Sequence, residues 1–124
     1  MLLNLTDLSN EPLQSQISRQ IRAKILSGEL VAGIMLPSIR KLAKEQKVSV
    51  ITVQRGYEVL ENESLIHSRR GKGFFVSPLQ TNQKKMMSEK RLAETLMPII
   101  KNAIDEGMSK QEIEQVLREL LERG

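Results

Sequence analysis

Apolar residues recur at helical spacing along the first part of the chain. An i, i+4 stripe begins after Pro12, which suits the first position of a helix, and stops before Gly28, which suits the end of one. The stripe consists of Leu13, Ile17, Ile21 and Ile25. A second, shorter helix is predicted after Ser38, a favourable N-cap, with Leu42 and Ala43 facing inward.

A third helix is predicted to follow a short turn at residues 47–49, with Ser49 as its N-cap. Its inward face consists of Val53, Tyr57 and Leu60. Because a helix repeats every 3.6 residues, Ile51, Thr52 and Arg55 lie on a different face. Two helices joined by a short turn have the form of a helix-turn-helix.

Two short strands, residues 65–68 and 74–77, are predicted around the sequence Arg69-Arg70-Gly71-Lys72-Gly73. The glycines permit the positive φ angles of a tight turn, and three cations crowd its tip. Such a tip suits a wing that reaches phosphate groups or the minor groove, where arginine is electrostatically favoured. His67, in the first strand, is expected to have a structural role.

The remainder of the chain predicts a linker followed by two amphipathic helices. Residues 79–87 are polar and follow Pro78, as is typical of a linker. Ser88 is predicted to cap a helix that is kinked or restarted at Pro98 and ends at Gly107, and residues 109–112 form a capping box for the next helix. The apolar positions predicted to mediate dimerisation are Leu92, Leu96, Ile99, Ile100, Ile104, Ile113, Val116, Leu117, Leu120 and Leu121.

Two helices of this size cannot cover so much apolar surface by themselves. Pairing with the same two helices of a second chain is the simplest way to cover this surface, and packing of the helices against residues 1–78 is the alternative. The predicted organisation is therefore a first domain at residues 1–78, a linker at 79–87 and a helical dimerisation region at 88–124.

Charge separates the same two parts. The 124 residues include 19 Lys and Arg against 15 Asp and Glu, a formal net charge of +4. Residues 1–78 hold 11 cations and 7 anions, whereas residues 79–124 hold 8 of each. The excess positive charge thus belongs to the first module, and a basic surface favours an anionic partner.

Composition excludes several kinds of chemistry. The chain has no cysteine and one histidine, so it offers no disulfide, no thiolate nucleophile and neither a cysteine-based nor a histidine-rich metal centre. We find no glycine-rich phosphate loop and no nucleophile–base pairing, so we expect neither an enzyme nor a cofactor. No long apolar run or signal peptide is evident, which predicts a soluble cytoplasmic protein with no membrane partner.

Several motifs in order resemble the GntR-type winged helix-turn-helix signature across about residues 10–77. They are Leu36-Pro37-Ser38-Ile39-Arg40-Lys41-Leu42-Ala43, Val48-Ser49, Thr52-Val53, Tyr57, Leu60-Glu61 and Gly71-Lys72-Gly73-Phe74-Phe75-Val76. The short tail is similar to that of the YtrA-type subgroup, whose members carry only a small helical C-terminal part. The resemblance implies a mainly α fold with a small β-hairpin wing, and a dimeric transcription factor, usually a repressor, often encoded beside transporter genes.

The resemblance also implies which residues contact DNA. Arg40, at the start of the second helix, would contact the DNA backbone or a guanine, although an ion pair with Glu45 or Glu61 is an alternative. The start of the recognition helix would contribute Ser49, Val50, Ile51, Thr52, Gln54 and Arg55. Arg70 and Gly71 match wing-tip positions that enter the minor groove, and the charge of the turn adds Arg69 and Lys72.

The chain departs from the family pattern at two positions. Val50 stands where the family often has a basic or polar residue, which puts direct hydrogen bonding to a base at this position in doubt. With Ile51 beside it, apolar contact with a thymine methyl becomes possible. Ser64 stands where the family usually has glycine. If that position requires left-handed backbone geometry, serine costs on the order of 1 kcal/mol there.

The leading hypothesis is a sequence-specific repressor that binds a two-fold symmetric operator as a homodimer, with the recognition helix in the major groove and the wing in the minor groove. The alternative hypothesis is a winged-helix module that binds an acidic protein partner. An enzyme is the third hypothesis and the one that the sequence supports least. About 40 tail residues leave little room for an enclosed pocket of about 300 Å³ or more, so any small-molecule effector would have to bind at the dimer interface or between the tail and the winged domain. The sequence does not show whether such an effector exists.

Overall fold

The computed structural model describes all residues, Met1–Gly124, and divides into two compact units, Met1–Lys84 and Lys85–Gly124. The first unit contains three helices, α1 (Leu13–Leu26), α2 (Ile39–Gln46) and α3 (Val50–Asn62), followed by strands β1 (Ile66–Arg69) and β2 (Gly73–Val76). Two further helices follow, α4 (Thr81–Asp105) and α5 (Lys110–Arg123). The predicted fold class, mainly helical with one small hairpin, is confirmed. No helix combines the length and apolar character needed to cross a membrane.

The core of the first unit lies where α1 packs against α3. The predicted stripe of α1 is fully buried from Ile17 to Ile25, as is the predicted inward face of α3 at Val53, Tyr57 and Leu60. Gly56 permits the close approach of the two helices, because a Cβ atom there would lie 2.9 Å from the Cγ2 atom of Ile17. The periodicity of the sequence therefore predicts the core correctly.

Serine caps fix the two helices of the helix-turn-helix. The Oγ atom of Ser38 accepts a hydrogen bond from the Lys41 N–H at 3.1 Å, and that of Ser49 accepts one from the Thr52 N–H at 3.0 Å. Both predicted caps are confirmed. Pro12, predicted as the first residue of α1, instead precedes it as the N-cap, with its carbonyl accepting from the next turn.

Tyr57 ties α3 to the segment that leads into α2. Its ring is fully buried, and its hydroxyl donates to the Pro37 carbonyl at 2.7 Å. Burial raises the pKa of the Tyr57 hydroxyl, so the group stays a neutral donor. The ring of Phe74 meets that of Tyr57 edge to face at 5.2 Å, which joins the hairpin to the same core.

The hairpin is anchored more firmly than the sequence predicts. Its register pairs Ile66 with Val76 and Arg69 with Gly73. The segment 33–36, which the sequence marks only as a connection, runs along the other edge of β2 and makes three backbone hydrogen bonds of 2.9 Å with it. This pairing depends on where the tertiary fold places the segment, and the segment has no alternation of apolar and polar residues that would predict a strand.

Ser64 occupies the left-handed backbone region that the sequence comparison anticipates. Its φ is +61°, and it lies between Glu63, the C-cap of α3, and the buried Leu65. The condition stated for a strained serine at this position, a left-handed backbone, is therefore met. A residue with a Cβ atom is strained there, by on the order of 1 kcal/mol.

Helix α4 begins earlier than predicted. It starts at Thr81, seven residues before the predicted cap Ser88, so most of the predicted linker 79–87 is helical. The Gln80 N–H donates to the Oε1 atom of Gln83 at 2.9 Å, and the glutamine, lysine and methionine residues that follow favour a helix. Polar composition alone therefore gave the wrong boundary.

Helix α4 also runs through Pro98 without a restart and ends before Gly107, whose φ is +98°. The capping box at the start of α5 is present, since the Ser109 side chain accepts from the Glu112 N–H while the Glu112 carboxylate accepts from the Ser109 N–H. No residue of either helix is buried.

Candidate nucleic-acid interface

The start of α3 exposes two apolar side chains beside two hydroxyls. Val50 is 45% exposed and Ile51 is 57% exposed. The Oγ atoms of Ser49 and Thr52 lie 2.7 Å apart and hydrogen bond to each other, while Ser49 also caps the helix. The predicted recognition residues are therefore on the surface, with their hydroxyls already engaged within the chain.

The next turn of α3 places one amide and one cation on the surface. The Nε2 atom of Gln54 donates to the Glu58 carboxylate at 3.2 Å, one helical turn further on. Arg55 is exposed and makes no hydrogen bond or ion pair. The guanidinium of Arg55 is thus free to donate to an external acceptor, whereas the amide of Gln54 is partly occupied.

Arg40 lies in the first turn of α2, exposed and without an ion pair. Glu45 lies 4.0 Å from Lys41, and Glu61 accepts a hydrogen bond from the Ser68 hydroxyl. Neither of the carboxylates considered as alternative partners of Arg40 therefore pairs with it.

The wing holds its three cations in two different ways. Arg69 lies over the ring of Phe75, with 4.9 Å between its Cζ atom and the ring centroid. Arg70 and Lys72 are exposed at the tip without a partner, in a turn closed by the Lys72 N–H and the Arg69 carbonyl at 2.9 Å. Gly71, with φ +74°, permits that turn.

Phe75 is a residue of this surface that the sequence analysis missed. Besides Arg69, it stacks on the imidazole of His67, with centroids 6.1 Å apart and an interplanar angle of 27°. The Nδ1 atom of His67 in turn hydrogen bonds to Ser77 at 2.9 Å, which agrees with the structural role expected for that histidine. The strand register indicates this contact, because His67 and Phe75 are cross-strand partners and Arg69 lies on the same face of the hairpin.

Within residues 1–78, carboxylates pair with cations outside the predicted DNA-binding site and with none inside it. Four of the 11 cations in residues 1–78 pair with carboxylates, in the pairs Arg19–Glu11, Arg22–Glu63, Lys24–Glu29 and Lys41–Glu45. The cations that stay unpaired are Arg40, Lys44, Lys47, Arg55, Arg69, Arg70 and Lys72. Every cation predicted to bind DNA is in this second group.

The predicted dimerisation residues all lie at least partly on the surface of α4 and α5. In α4 the most exposed are Leu92 at 61% and Ile99 at 59%, and in α5 Leu121 reaches 80%. Ile104, Val116 and Leu120 are also exposed, while Leu96, Ile100, Ile113 and Leu117 are half-buried. Within the second unit, Lys85–Gly124, helices α4 and α5 thus leave much of this apolar surface uncovered.

No group of three or more histidine or acidic side chains is arranged to hold a metal ion. The surface at α2, α3 and the wing instead combines free guanidinium and ammonium groups with a protruding helix start. Those features, on three helices and a hairpin, define a protein of the winged helix-turn-helix class.

Comparison with known proteins gives the family. The pattern of the family described as bacterial regulatory proteins, gntR family, matches residues 13–76. An uncharacterized HTH-type transcriptional regulator of Bacillus subtilis, YhcF, is 30% identical over 94% of this chain and 95% of its own length. The chain therefore belongs to the GntR family.

Other relatives agree over nearly the whole chain. The HTH-type transcriptional repressor YtrA of Bacillus subtilis is 28% identical over 96% of this chain and 92% of its own length. Among solved structures, a GntR family transcriptional regulator from Listeria monocytogenes has a TM-score of 0.75 at 25% identity, covering 90% of this chain and 96% of its own. YtrA from Sulfolobus acidocaldarius, a GntR-family transcription factor, has a TM-score of 0.57 at 30% identity and covers 98% and 97%. The resemblance to YtrA-type regulators thus extends into the tail.

Proposed function

We propose that this regulator is a homodimeric repressor that occupies a two-fold symmetric operator, with α3 in the major groove and the wing in the minor groove. The observation that carries the proposal is the distribution of unpaired cations, which surround the start of α3, the first turn of α2 and the wing tip. Phosphate contacts from such groups supply most of the affinity for DNA.

The contacts divide by their chemistry. Arg40 and the wing cations are suited to phosphate groups, and Arg70 with Gly71 is placed at a narrow tip that fits the minor groove. Arg55 can donate two parallel hydrogen bonds to the O6 and N7 atoms of a guanine. Ser49 and Thr52 lie at the helix start, where short hydroxyl side chains suit backbone or base contacts.

A second copy of this chain is the partner that best fits the apolar surface of α4 and α5. Residues 79–124 carry equal numbers of cations and anions, so two copies of this region meet without net repulsion. The surface exposes large residues such as Leu92, Ile99 and Leu121, which are costly to leave in water. A two-fold dimer then presents two copies of α3 to half-sites about one helical turn of DNA apart.

Repression is the direction of regulation suggested by the relatives, since the Bacillus subtilis YtrA protein is named a repressor. A dimer bound across a promoter blocks polymerase without needing a further surface. This activity would place the protein in the cytoplasm, with the chromosome.

Selection of bound fragments from random DNA, read by sequencing, tests the DNA-binding part of the proposal. We expect enrichment of one inverted repeat. Arg40→Ala is expected to weaken binding to that repeat. The matched control is Arg19→Ala, which removes the same charge from a residue of α1 that is already paired with Glu11, and it is expected to leave the affinity nearly unchanged. The absence of an enriched sequence would favour the protein-binding alternative.

Light scattering after size exclusion tests the dimer. Ile99→Asp puts a carboxylate on the apolar face of α4 and is expected to convert the dimer into a monomer. Asn102→Asp adds the same charge to an exposed residue of α4 outside that face and should preserve the dimer. A monomeric wild-type protein, or equal behaviour of the two variants, would remove this part of the proposal.

A further inference from the structure

The first two residues of α3 are apolar and project from a surface that is otherwise polar and charged. Val50 and Ile51 are 45% and 57% exposed, whereas Val53, on the inward side of the same helix, is fully buried. They therefore do not contribute to the core, and leaving them in water is costly. Two adjacent exposed aliphatic residues at the start of the recognition helix call for an apolar partner in the complex with DNA.

The polar residues around them have limited capacity for hydrogen bonds to bases. The hydroxyls of Ser49 and Thr52 bond to each other at 2.7 Å, and Ser49 also accepts from the Thr52 N–H. The amide nitrogen of Gln54 donates to Glu58. One hydroxyl hydrogen of the Ser49–Thr52 pair and one N–H of the Gln54 amide are thus already used within the chain, so these side chains have fewer free donors for a base edge.

Only one of the four DNA bases offers an apolar group in the major groove, namely the C5 methyl of thymine. We propose that Val50 and Ile51 read thymine methyl groups in each operator half-site, and that this contact determines base preference at the start of α3. The inference rests on the proposed DNA-binding function and adds the chemical group that is recognised. Arg55, one turn further along, is left to read a guanine or a phosphate.

Deoxyuridine gives a direct test, because it pairs as thymidine does and lacks only the methyl group. The probe is the inverted repeat obtained by selection, with thymidines replaced one position at a time in both half-sites. At the contacted position we expect about fourfold weaker binding per half-site, equivalent to about 0.8 kcal/mol for one methyl group left in water. Symmetric replacement should then weaken binding about fifteenfold, since distant sites contribute additively.

Variants of the protein show whether the methyl group is read by these residues. In Val50→Ala or Ile51→Ala the penalty for deoxyuridine at the corresponding position should fall to less than twofold. Arg55→Ala lowers overall affinity but should keep the full penalty. Both aliphatic residues are exposed, so the alanine variants are expected to fold, and circular dichroism is the check of their folding.

The outcomes separate this inference from the function on which it rests. If the wild-type protein enriches no sequence, the proposed function fails. If it binds a preferred sequence but tolerates deoxyuridine at every position, only the methyl contact is overturned. A penalty that persists in both alanine variants also overturns it, because the methyl would then act through the DNA and not through Val50 or Ile51.

Discussion

Replacing Arg70 by alanine should change how the affinity for DNA depends on salt. Arg70 is exposed at the wing tip and has no partner within the chain, so its loss leaves no intramolecular contact broken. Each phosphate neutralised by the protein contributes about −0.9 to the slope of log K against log salt concentration. Because a dimer carries two copies of Arg70, the slope of the variant should be shallower by about 1.8.

The number of unpaired cations sets the scale of the total slope. Residues 1–78 contain seven of them, so a dimer whose phosphate contacts come from these residues alone offers 14 cations and a slope of about −13. Between about 50 and 200 mM salt, a difference of 1.8 in slope means that the wild type loses about twelvefold more affinity than Arg70→Ala. Fluorescence anisotropy with the selected operator measures both values.

Arg19→Ala is the matched control for this measurement. It removes the same formal charge, but the guanidinium of Arg19 is held by Glu11 at 2.9 Å and lies on α1. Its slope should equal that of the wild type. Equal slopes for Arg70→Ala and the wild type would refute the placement of the wing against DNA, and a change of about 0.9 would indicate that one wing is engaged and not two.

Three further predictions concern the stability of the fold. Ser64→Gly should raise the free energy of unfolding by about 1 kcal/mol, because glycine adopts the +61° φ without strain, and a urea midpoint at or below that of the wild type would contradict this. Tyr57→Phe should lower it by about 1 kcal/mol through loss of the hydrogen bond to Pro37, measured in the same way. Hydrogen bonds from the backbone and side chain of Ser109 lower the pKa of Glu112. The ionised carboxylate therefore stabilises α5 at pH values above the ordinary pKa of glutamate, and this stabilisation is lost as the pH falls through the lowered pKa. Circular dichroism on acidification should show less loss of helix in Glu112→Gln than in the wild type.

Structural features that depend on residues close together in sequence were predictable from the sequence. The caps at Ser38, Ser49 and Ser109 follow from a short polar side chain placed before an apolar period, and the structure contains all three. The buried face of α3 follows equally from spacing. At Ser64 the departure from the glycine usual in the family pointed to a position where the backbone could be left-handed, and the structure gives it a φ of +61°.

Features that depend on contacts distant in sequence were not predicted. Gln16, on α1, is buried because its amide bonds to the backbone of Thr6 at 2.7 and 2.9 Å, which nothing in the spacing of α1 indicates. The pairing of segment 33–36 with β2 and the early start of α4 belong to the same class. In the candidate site, exposure was foreseen, whereas the engagement of Thr52 and Gln54 within the chain was not.

The two ways in which the wing holds its arginines have a consequence for binding. An arginine that is free in solution loses up to about 2 kcal/mol of side-chain entropy when DNA fixes it. Arg69 is already stacked on Phe75, which His67 and Ser77 hold in place, so part of that cost is met when the protein folds. Removing the ring, as in Phe75→Leu, should therefore weaken DNA binding through Arg69, and the loss should disappear in an Arg69→Ala background.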